Sequence, residues 1–210
     1  MRQGEAVGIM GGTFDPIHYG HLVIAEGARV EYDLSEVIYI PSGMPPHKRD
    51  QTISNAEDRY RMTMLATQDN PHFSVSRVEI DRPGPSFAVD TIRTMKEMYG
   101  PDVDLYFITG ADAILQILSW KDVGSLISMC HFVAATRPGY SLTWLREIIA
   151  RIRERHQSDF SVQYMEVPGL MISSTDIRQR VRSGLPIRYL LPEIVESYIR
   201  THRLYLPAAL

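Results

Sequence analysis

Apolar and polar positions along the 210-residue chain follow two periods, one near two and one near 3.6, and the switch between them marks the elements. The run Ala6-Val7-Gly8-Ile9-Met10 is closed by Gly11-Gly12 and followed by helical spacing over about residues 19–33, which reads as strand, glycine turn, helix. Residues 36–40, alternating and rich in branched side chains, predict a second strand before a proline-rich loop over 41–48. A helix over about 56–68 has Asn55 as its N-cap and Asp58 near its positive end. Residues 73–80 alternate through Phe73 and Val75, then Val78 and Ile80, predicting an extended segment whose phase breaks near Ser76-Arg77. Arg82-Pro83-Gly84-Pro85 forces a loop, and Ser86 is placed to cap a helix running to about Tyr99 and stopped by Gly100-Pro101. Strands follow over 103–108, 132–135 and 160–167, and helices over about 141–155, 175–182 and 192–201.

Strands alternating with helices at this spacing imply right-handed crossovers and an α/β fold with a doubly wound parallel sheet. Such sheets bind ligands beyond the carboxyl ends of their strands, so the informative loops are 11–18, 41–48, 109–112, 136–139 and 168–174. The chain shows no fixed-period repeat, low-complexity tract or linker, and one domain over 1–210 is expected.

Composition adds three constraints. With 44% apolar and 22% charged residues the chain can bury a sizeable core. Cys130 is the one cysteine, which rules out an internal disulfide framework and a multi-cysteine zinc site; in a predicted strand it reads as core, and it fits a reducing compartment. The net charge of −3 argues against a general nucleic-acid binder, yet it hides an asymmetry. Residues 1–136 carry 11 basic and 18 acidic side chains, whereas residues 137–210 carry 11 basic, all arginine, and 7 acidic. No apolar run has the roughly 18 residues of a membrane span and the N-terminus lacks an apolar signal region, so a cytoplasmic protein without membrane or nucleic-acid partners is expected. A homo-oligomer stays open.

The candidate chemistry concentrates at two loop–helix junctions. In the first, Gly11-Gly12-Thr13-Phe14-Asp15-Pro16-Ile17-His18-Tyr19-Gly20-His21, glycines let backbone amides approach an anion and the helix start adds positive potential. The loop lacks the Gly-x-Gly-x-x-Gly of dinucleotide binding and the Gly-Lys-Ser/Thr of a P-loop. His18 and His21, three apart, would share one side of the helix and could donate to phosphate oxygens; alternatively one caps the helix and the other packs. A metal pair lacks a third ligand at zinc spacing. In the second junction, Ile172-Ser173-Ser174-Thr175-Asp176-Ile177-Arg178, hydroxyls, helix amides and an arginine assemble the parts of a phosphate site, or simply an N-cap and a surface arginine.

These two junctions together resemble the nucleotidyltransferase superfamily marked by a (T/H)xGH motif, here His18-Tyr19-Gly20-His21. The wider set is similar to bacterial nicotinate-nucleotide adenylyltransferases: Pro45-Pro46-His47-Lys48, Arg82-Pro83-Gly84-Pro85-Ser86-Phe87, Val89-Asp90-Thr91, Gly110-Ala111-Asp112, Trp120 and Arg137-Pro138-Gly139, in family order over about residues 6–205. The resemblance implies a Rossmann-like nucleotidyltransferase fold with C-terminal helices. It also implies transfer of an adenylyl group from ATP, with Mg²⁺, to nicotinate mononucleotide in NAD biosynthesis, giving nicotinate adenine dinucleotide and pyrophosphate. His18 and His21 would then act on the ATP phosphates and stabilise the transition state. Gly12, Thr13, Phe14, Gly110, Asp112, Ser174, Thr175 and Arg178 would complete the ATP site, Asp112 near the ribose. His47, Lys48, Ala88, Trp120 and Arg137 would serve the mononucleotide, with Trp120 stacked on the pyridine ring.

One position departs from the family pattern: threonine usually stands where this chain has Ala88, which keeps the backbone amide facing the nicotinate carboxylate but lacks the hydroxyl. Relaxed use of nicotinamide mononucleotide is therefore the alternative. A phosphopantetheine adenylyltransferase would be shorter and lack the Pro-Pro-His-Lys pattern. An aminoacyl-tRNA synthetase shares a His-x-Gly-His element but needs room for tRNA. A non-catalytic nucleotide-binding module would keep the phosphate loops and need neither histidine.

Overall fold

The structure, a computed structural model, describes residues 5–46, 53–137, 139 and 141–207. Six strands form one parallel sheet: β1 (Ala6–Gly12), β2 (Glu36–Pro41), β3 (Phe73–Val75), β4 (Asp104–Gly110), β5 (His131–Thr136) and β6 (Val162–Glu166), in the spatial order β3-β2-β1-β4-β5-β6. Register runs Ile9 beside Ile38 and Phe107, Phe107 beside Phe132, and Ala135 beside Met165. The order reverses between β1 and β4, and a crevice opens there at the carboxyl ends.

Alternation along the strands sorts side chains into two cores, one on each face of the sheet. Val7, Ile9, Ile38, Ile40, Leu105, Phe107, Phe132 and Ala134 face one core, closed by α3 (Ala88–Tyr99), α4 (Ala111–Ile114), α5 (Val123–Met129) and α6 (Thr143–His156). Met10, Val37, Tyr39, Ile108, Val133 and Ala135 face the other, closed by α1 (Tyr19–Glu31), α2 (Ala56–Thr67), α7 (Ser174–Arg182) and α8 (Glu193–Thr201). Side chains such as Ile9, Ile40 and Leu105 are fully buried, each worth roughly 1.5–3 kcal/mol of transfer free energy. Among the described residues no helix is long and apolar enough to cross a membrane.

Most expected elements form, and the differences have local causes. The extended segment expected over 73–80 is a strand only over Phe73–Val75. Its phase break becomes a turn in which the Ile80 amide donates to the Arg77 carbonyl, and Arg77 pairs with Glu57 at 2.8 Å and Asp81 at 3.1 Å. Asn55 caps α2 as expected, accepting from the Glu57 amide at 2.9 Å. Ser86, expected to cap α3, does not: Phe87 holds that position, and Ser86 Oγ accepts the Gly43 and Met44 amides at 3.0 and 3.1 Å. The segment between β4 and β5, for which no element is expected, folds as α4, a 3-10 turn over Ile117–Ser119, and α5. Cys130, expected in a strand, closes α5 just before β5; burial pushes its thiol up to about 12, so it is inert.

Candidate active site

Two cavities flank the carboxyl end of β1 and share Gly11 and Gly12 as a common wall. The first, about 260 Å³, lies toward β4, β5 and β6; Phe14, His18, Gly20, His21, Gly110 and Ile172 are among its lining residues. The second, about 200 Å³, lies toward β2 and the start of α3, lined by Thr13, Ser42, Glu79, Ala88, Trp120 and Lys121 among others. Chain topology builds both, because the crossovers from β1 and β4 depart to opposite sides of the sheet.

In the first cavity His18 ends the loop and begins α1 in an extended conformation. Its backbone amide donates to His21 Nδ1 at 3.2 Å, and the two rings stack with centroids 3.8 Å apart. With Nδ1 accepting, the neutral His21 ring carries its proton on Nε2. His18 is only 6% exposed, its Nδ1 is buried without a hydrogen-bond partner, and burial lowers its pKa to about 4. The ring is therefore neutral at neutral pH. Gly20 makes room for it, since a Cβ there would stand 3.0 Å from the His18 ring. The Phe14 ring meets His21 edge-on at 5.1 Å and fixes its tilt from the core side.

The second junction packs directly behind this loop. Ser173 caps α7 by accepting the Asp176 amide at 3.1 Å. Ser174 Oγ donates to the Pro16 carbonyl at 2.9 Å, and Arg178 donates to the Asp15 carbonyl at 2.7 Å and to Thr175 Oγ1 at 3.3 Å. The two junctions expected to grip phosphate are thus in mutual contact, although 158 to 163 residues separate them in sequence. Asp15 is itself buried; its carboxylate accepts from the Tyr205 hydroxyl at 2.8 Å and the Ser54 amide at 3.3 Å, which folds the end of the chain against the loop.

In the second cavity Trp120 follows the 3-10 turn and meets Phe107 edge-on at 5.8 Å, which holds its ring at the wall. Ala88 is the first residue of α3, so its amide is one of the helix's unpaired donors. Lys121 reaches Asp90 at 3.0 Å and lies over the Phe87 ring at 4.6 Å. Glu79 is buried and accepts from Thr91 Oγ1 at 2.6 Å; burial raises its pKa, against the Thr91 and Ser86 hydroxyls and the charges of Arg82 and Arg59. Gly43 is required beside it, because a Cβ there would collide with the Glu79 carbonyl.

Of the residues singled out in the sequence, Gly12, Phe14, His18, His21 and Gly110 gather at the first cavity, and Gly12, Thr13, Ala88 and Trp120 at the second. Arg137, expected with the mononucleotide group, lines the first cavity instead, because β5 ends on the far side of β4. Thr13, expected with the ATP group, lines the second. Asp112 is exposed in the first turn of α4, and His47 and Lys48 lie outside the described residues. Ser42, Glu79, Lys121 and the buried Arg59 went unread in the sequence. Only Glu79 and Lys121 carried a signal there, as neighbours of the Arg82-Pro83-Gly84-Pro85 loop and of Trp120.

Residues 9–180 match the model of the cytidylyltransferase-like family. A protein of Moorella thermoacetica named "Probable nicotinate-nucleotide adenylyltransferase" is 60% identical over 203 residues, covering 96% of this chain and 92% of the relative. One of the same name from Thermoanaerobacter sp. is 53% identical over 205 residues, covering 98% and 96%. The fold is similar to that of Plasmodium falciparum nicotinic acid mononucleotide adenylyltransferase complexed with NaAD, with a TM-score of 0.75 at 20% identity over 96% of this chain and 97% of that one. Near-complete coverage at this identity, joined to the paired cavities around the His-Tyr-Gly-His turn, means that the chain belongs to the cytidylyltransferase-like family and, within it, to the nicotinate-nucleotide adenylyltransferases.

Proposed function

We propose that this protein joins ATP and nicotinate mononucleotide to form nicotinate adenine dinucleotide and pyrophosphate. The observation that carries the reading is the pair of cavities meeting at Gly11-Gly12, one bordered by two stacked histidines and the other by an aromatic wall and a helix start. Two nucleotides seated there would bring their phosphates together at the glycine pair, where no side chain intrudes.

An oxygen of the mononucleotide phosphate attacks the α-phosphorus of ATP, the bond from that phosphorus to the α,β-bridging oxygen breaks, and pyrophosphate leaves with the electron pair. No protein nucleophile takes part, so the chain acts by positioning and by stabilising charge. His21, with its proton on Nε2, donates to an ATP phosphate oxygen, and His18 adds a second neutral donor. Gly12, Phe14 and Gly110 border ATP; Asp112 takes the ribose; Thr13 shapes the shared wall. Arg178, Ser174 and Thr175 hold the turn from behind, through the Asp15 and Pro16 carbonyls, and stand on the side assigned to the β- and γ-phosphates. The mononucleotide lies against Trp120 with its carboxylate on the Ala88 amide, and His47 and Lys48 take its phosphate. Arg137, on the wall of the first cavity, serves the ATP side.

Mg²⁺ would enter with ATP and offset the charge of the phosphates, as suits an ion that keeps most of its hydration shell, while the residues around the glycine pair would hold the phosphates themselves. Among the described residues no group of three or more His, Cys, Asp or Glu side chains gathers to cage a metal, and the chain's part is to hold the phosphates.

Ala88 supports a second reading, in which nicotinamide mononucleotide is also used, because the position lacks a hydroxyl that would favour the acid. The test is pyrophosphate release with ATP and Mg²⁺ against nicotinate mononucleotide, its amide and phosphopantetheine. Turnover with the acid, and slower turnover with the amide, are expected. Failure with all three overturns the reading in favour of a binding module.

A further inference from the structure

Arg59, on α2, is the bulkiest of the fully buried side chains, with 1% of its surface exposed. Its guanidinium spends its donors on backbone carbonyls: Nη1 to Thr13 at 2.8 Å, Nε to Ser54 at 3.0 Å and Nη2 to Gly43 at 3.3 Å. Those carbonyls belong to two connections: Thr13 follows β1, and Gly43 and Ser54 stand near the two ends of the connection from β2 to α2. Both connections border the second cavity, through Thr13 and Ser42, side by side where the Ser42 amide donates to the Gly12 carbonyl at 2.9 Å. A buried guanidinium is costly to hold, and a helix that needed only packing here would hold it better with an apolar side chain of the same volume. The nearby charges of Asp15 and Glu79 offset part of the burial.

We propose that Arg59 is a positioning residue for adenylyl transfer: it ties the glycine loop to the connection after β2, and so fixes the wall of the second cavity that Thr13 and Ser42 share and the line along which the mononucleotide phosphate meets ATP. This rests on the function proposed above. Only a planar fork with donors in several directions spans three carbonyls at once; an ammonium is a compact point charge that reaches fewer of them. Thr13 lines the second cavity, whereas none of the residues bonded to Arg59 lines the first, so the larger effect of the clamp is expected on the mononucleotide. A purely structural arginine would instead lower stability and leave the balance between the two substrates unchanged.

The experiment compares R59K, R59M and the wild type by thermal melting, by steady-state kinetics with each substrate varied, and by separate calorimetric titrations of nicotinate mononucleotide and ATP. Ile152→Ala, a core substitution under α6 remote from both cavities, serves as a control for lost stability. In R59K we expect a cooperative melt, a kcat about 10- to 100-fold lower, mononucleotide affinity weaker by about fivefold or more, and ATP affinity within about twofold. Ile152→Ala should melt earlier and keep both affinities. If R59M does not melt cooperatively, R59K decides. Wild-type kcat and mononucleotide affinity in R59K overturn the proposal, as does an equal loss of affinity for both nucleotides. A chain that folds with neither substitution assigns Arg59 to folding and overturns it too. A wild type that neither binds the mononucleotide nor forms dinucleotide is a different outcome, and it removes the proposed function itself.

Discussion

Burial sets the charge of His18, and that choice costs stability in acid. The folded ring takes a proton only near pH 4, while the unfolded chain takes it near 6.5, so between these values the unfolded state binds the extra proton. Stability from this group is therefore complete above about pH 6.5 and is lost as the pH falls toward 4, by about 3 kcal/mol in full. Urea unfolding of the wild type and His18→Gln at pH 7 and pH 4 should show the wild type losing more, by roughly that amount; parallel losses would remove His18 from the account. His21 has a different job. It accepts the His18 amide on one nitrogen and offers a proton on the other, so His21→Ala removes both a helix-end contact and a phosphate donor. The first loss costs about 1 kcal/mol of stability. The second should lower kcat by about 10²- to 10³-fold, as removal of one preorganised donor does. Near-wild-type turnover would sink the assigned role.

At the scale of elements, the site depends on contacts between segments that are remote in sequence. Ser86 is the clearest case: its hydroxyl holds the Gly43 and Met44 amides instead of capping α3, tying the wall of the second cavity to the helix start that carries Ala88. Ser86→Ala leaves two amides without that partner, and we expect a stability loss of about 1–3 kcal/mol. The Michaelis constant for the mononucleotide should rise while that for ATP holds; equal effects on both would make Ser86 only a brace. This contact also shows where reading the sequence stops. β1, β2, α1 and α2 were legible because an apolar run ends at glycine, an alternating one meets proline, a helical spacing follows the first loop and an asparagine caps the next helix, which are local signals. The His-Tyr-Gly-His turn was legible for the same reason. α4, the 3-10 turn and α5 were not, because pieces of four, three and seven residues are too short to display a helical period. Arg59 was invisible, since an arginine in a helix ordinarily reads as solvated, and only the tertiary structure brings three carbonyls around it. Ser86 misled because a serine before a helix is a good cap unless something distant claims its oxygen.

For the whole molecule, the decisive feature is that a single reversal in strand order places two cavities on either side of one glycine pair. The arginine-rich last third lies behind the first cavity through α7, so the net charge of −3 conceals a locally basic backing to the site assigned to ATP. If the cavities form one continuous site, a ligand with both halves covalently joined binds as a tethered pair. Its second half then enters at an effective concentration near the millimolar range. Nicotinate adenine dinucleotide should accordingly bind at least tenfold more tightly than AMP or nicotinate mononucleotide alone, a difference of about 1.4 kcal/mol. In a chain of this size that corresponds to roughly 3–6 °C of additional thermal stabilisation over either half alone at the same saturating concentration. Thermal melts with AMP, the mononucleotide and the dinucleotide, each at the same concentration, make the comparison directly. Trp120→Ala should reduce the dinucleotide's advantage while leaving the AMP shift in place, because Trp120 borders only the second cavity. If the dinucleotide stabilises no more than the tighter-binding of its halves alone, the two cavities act as separate sites, and the glycine pair is a partition instead of a bridge.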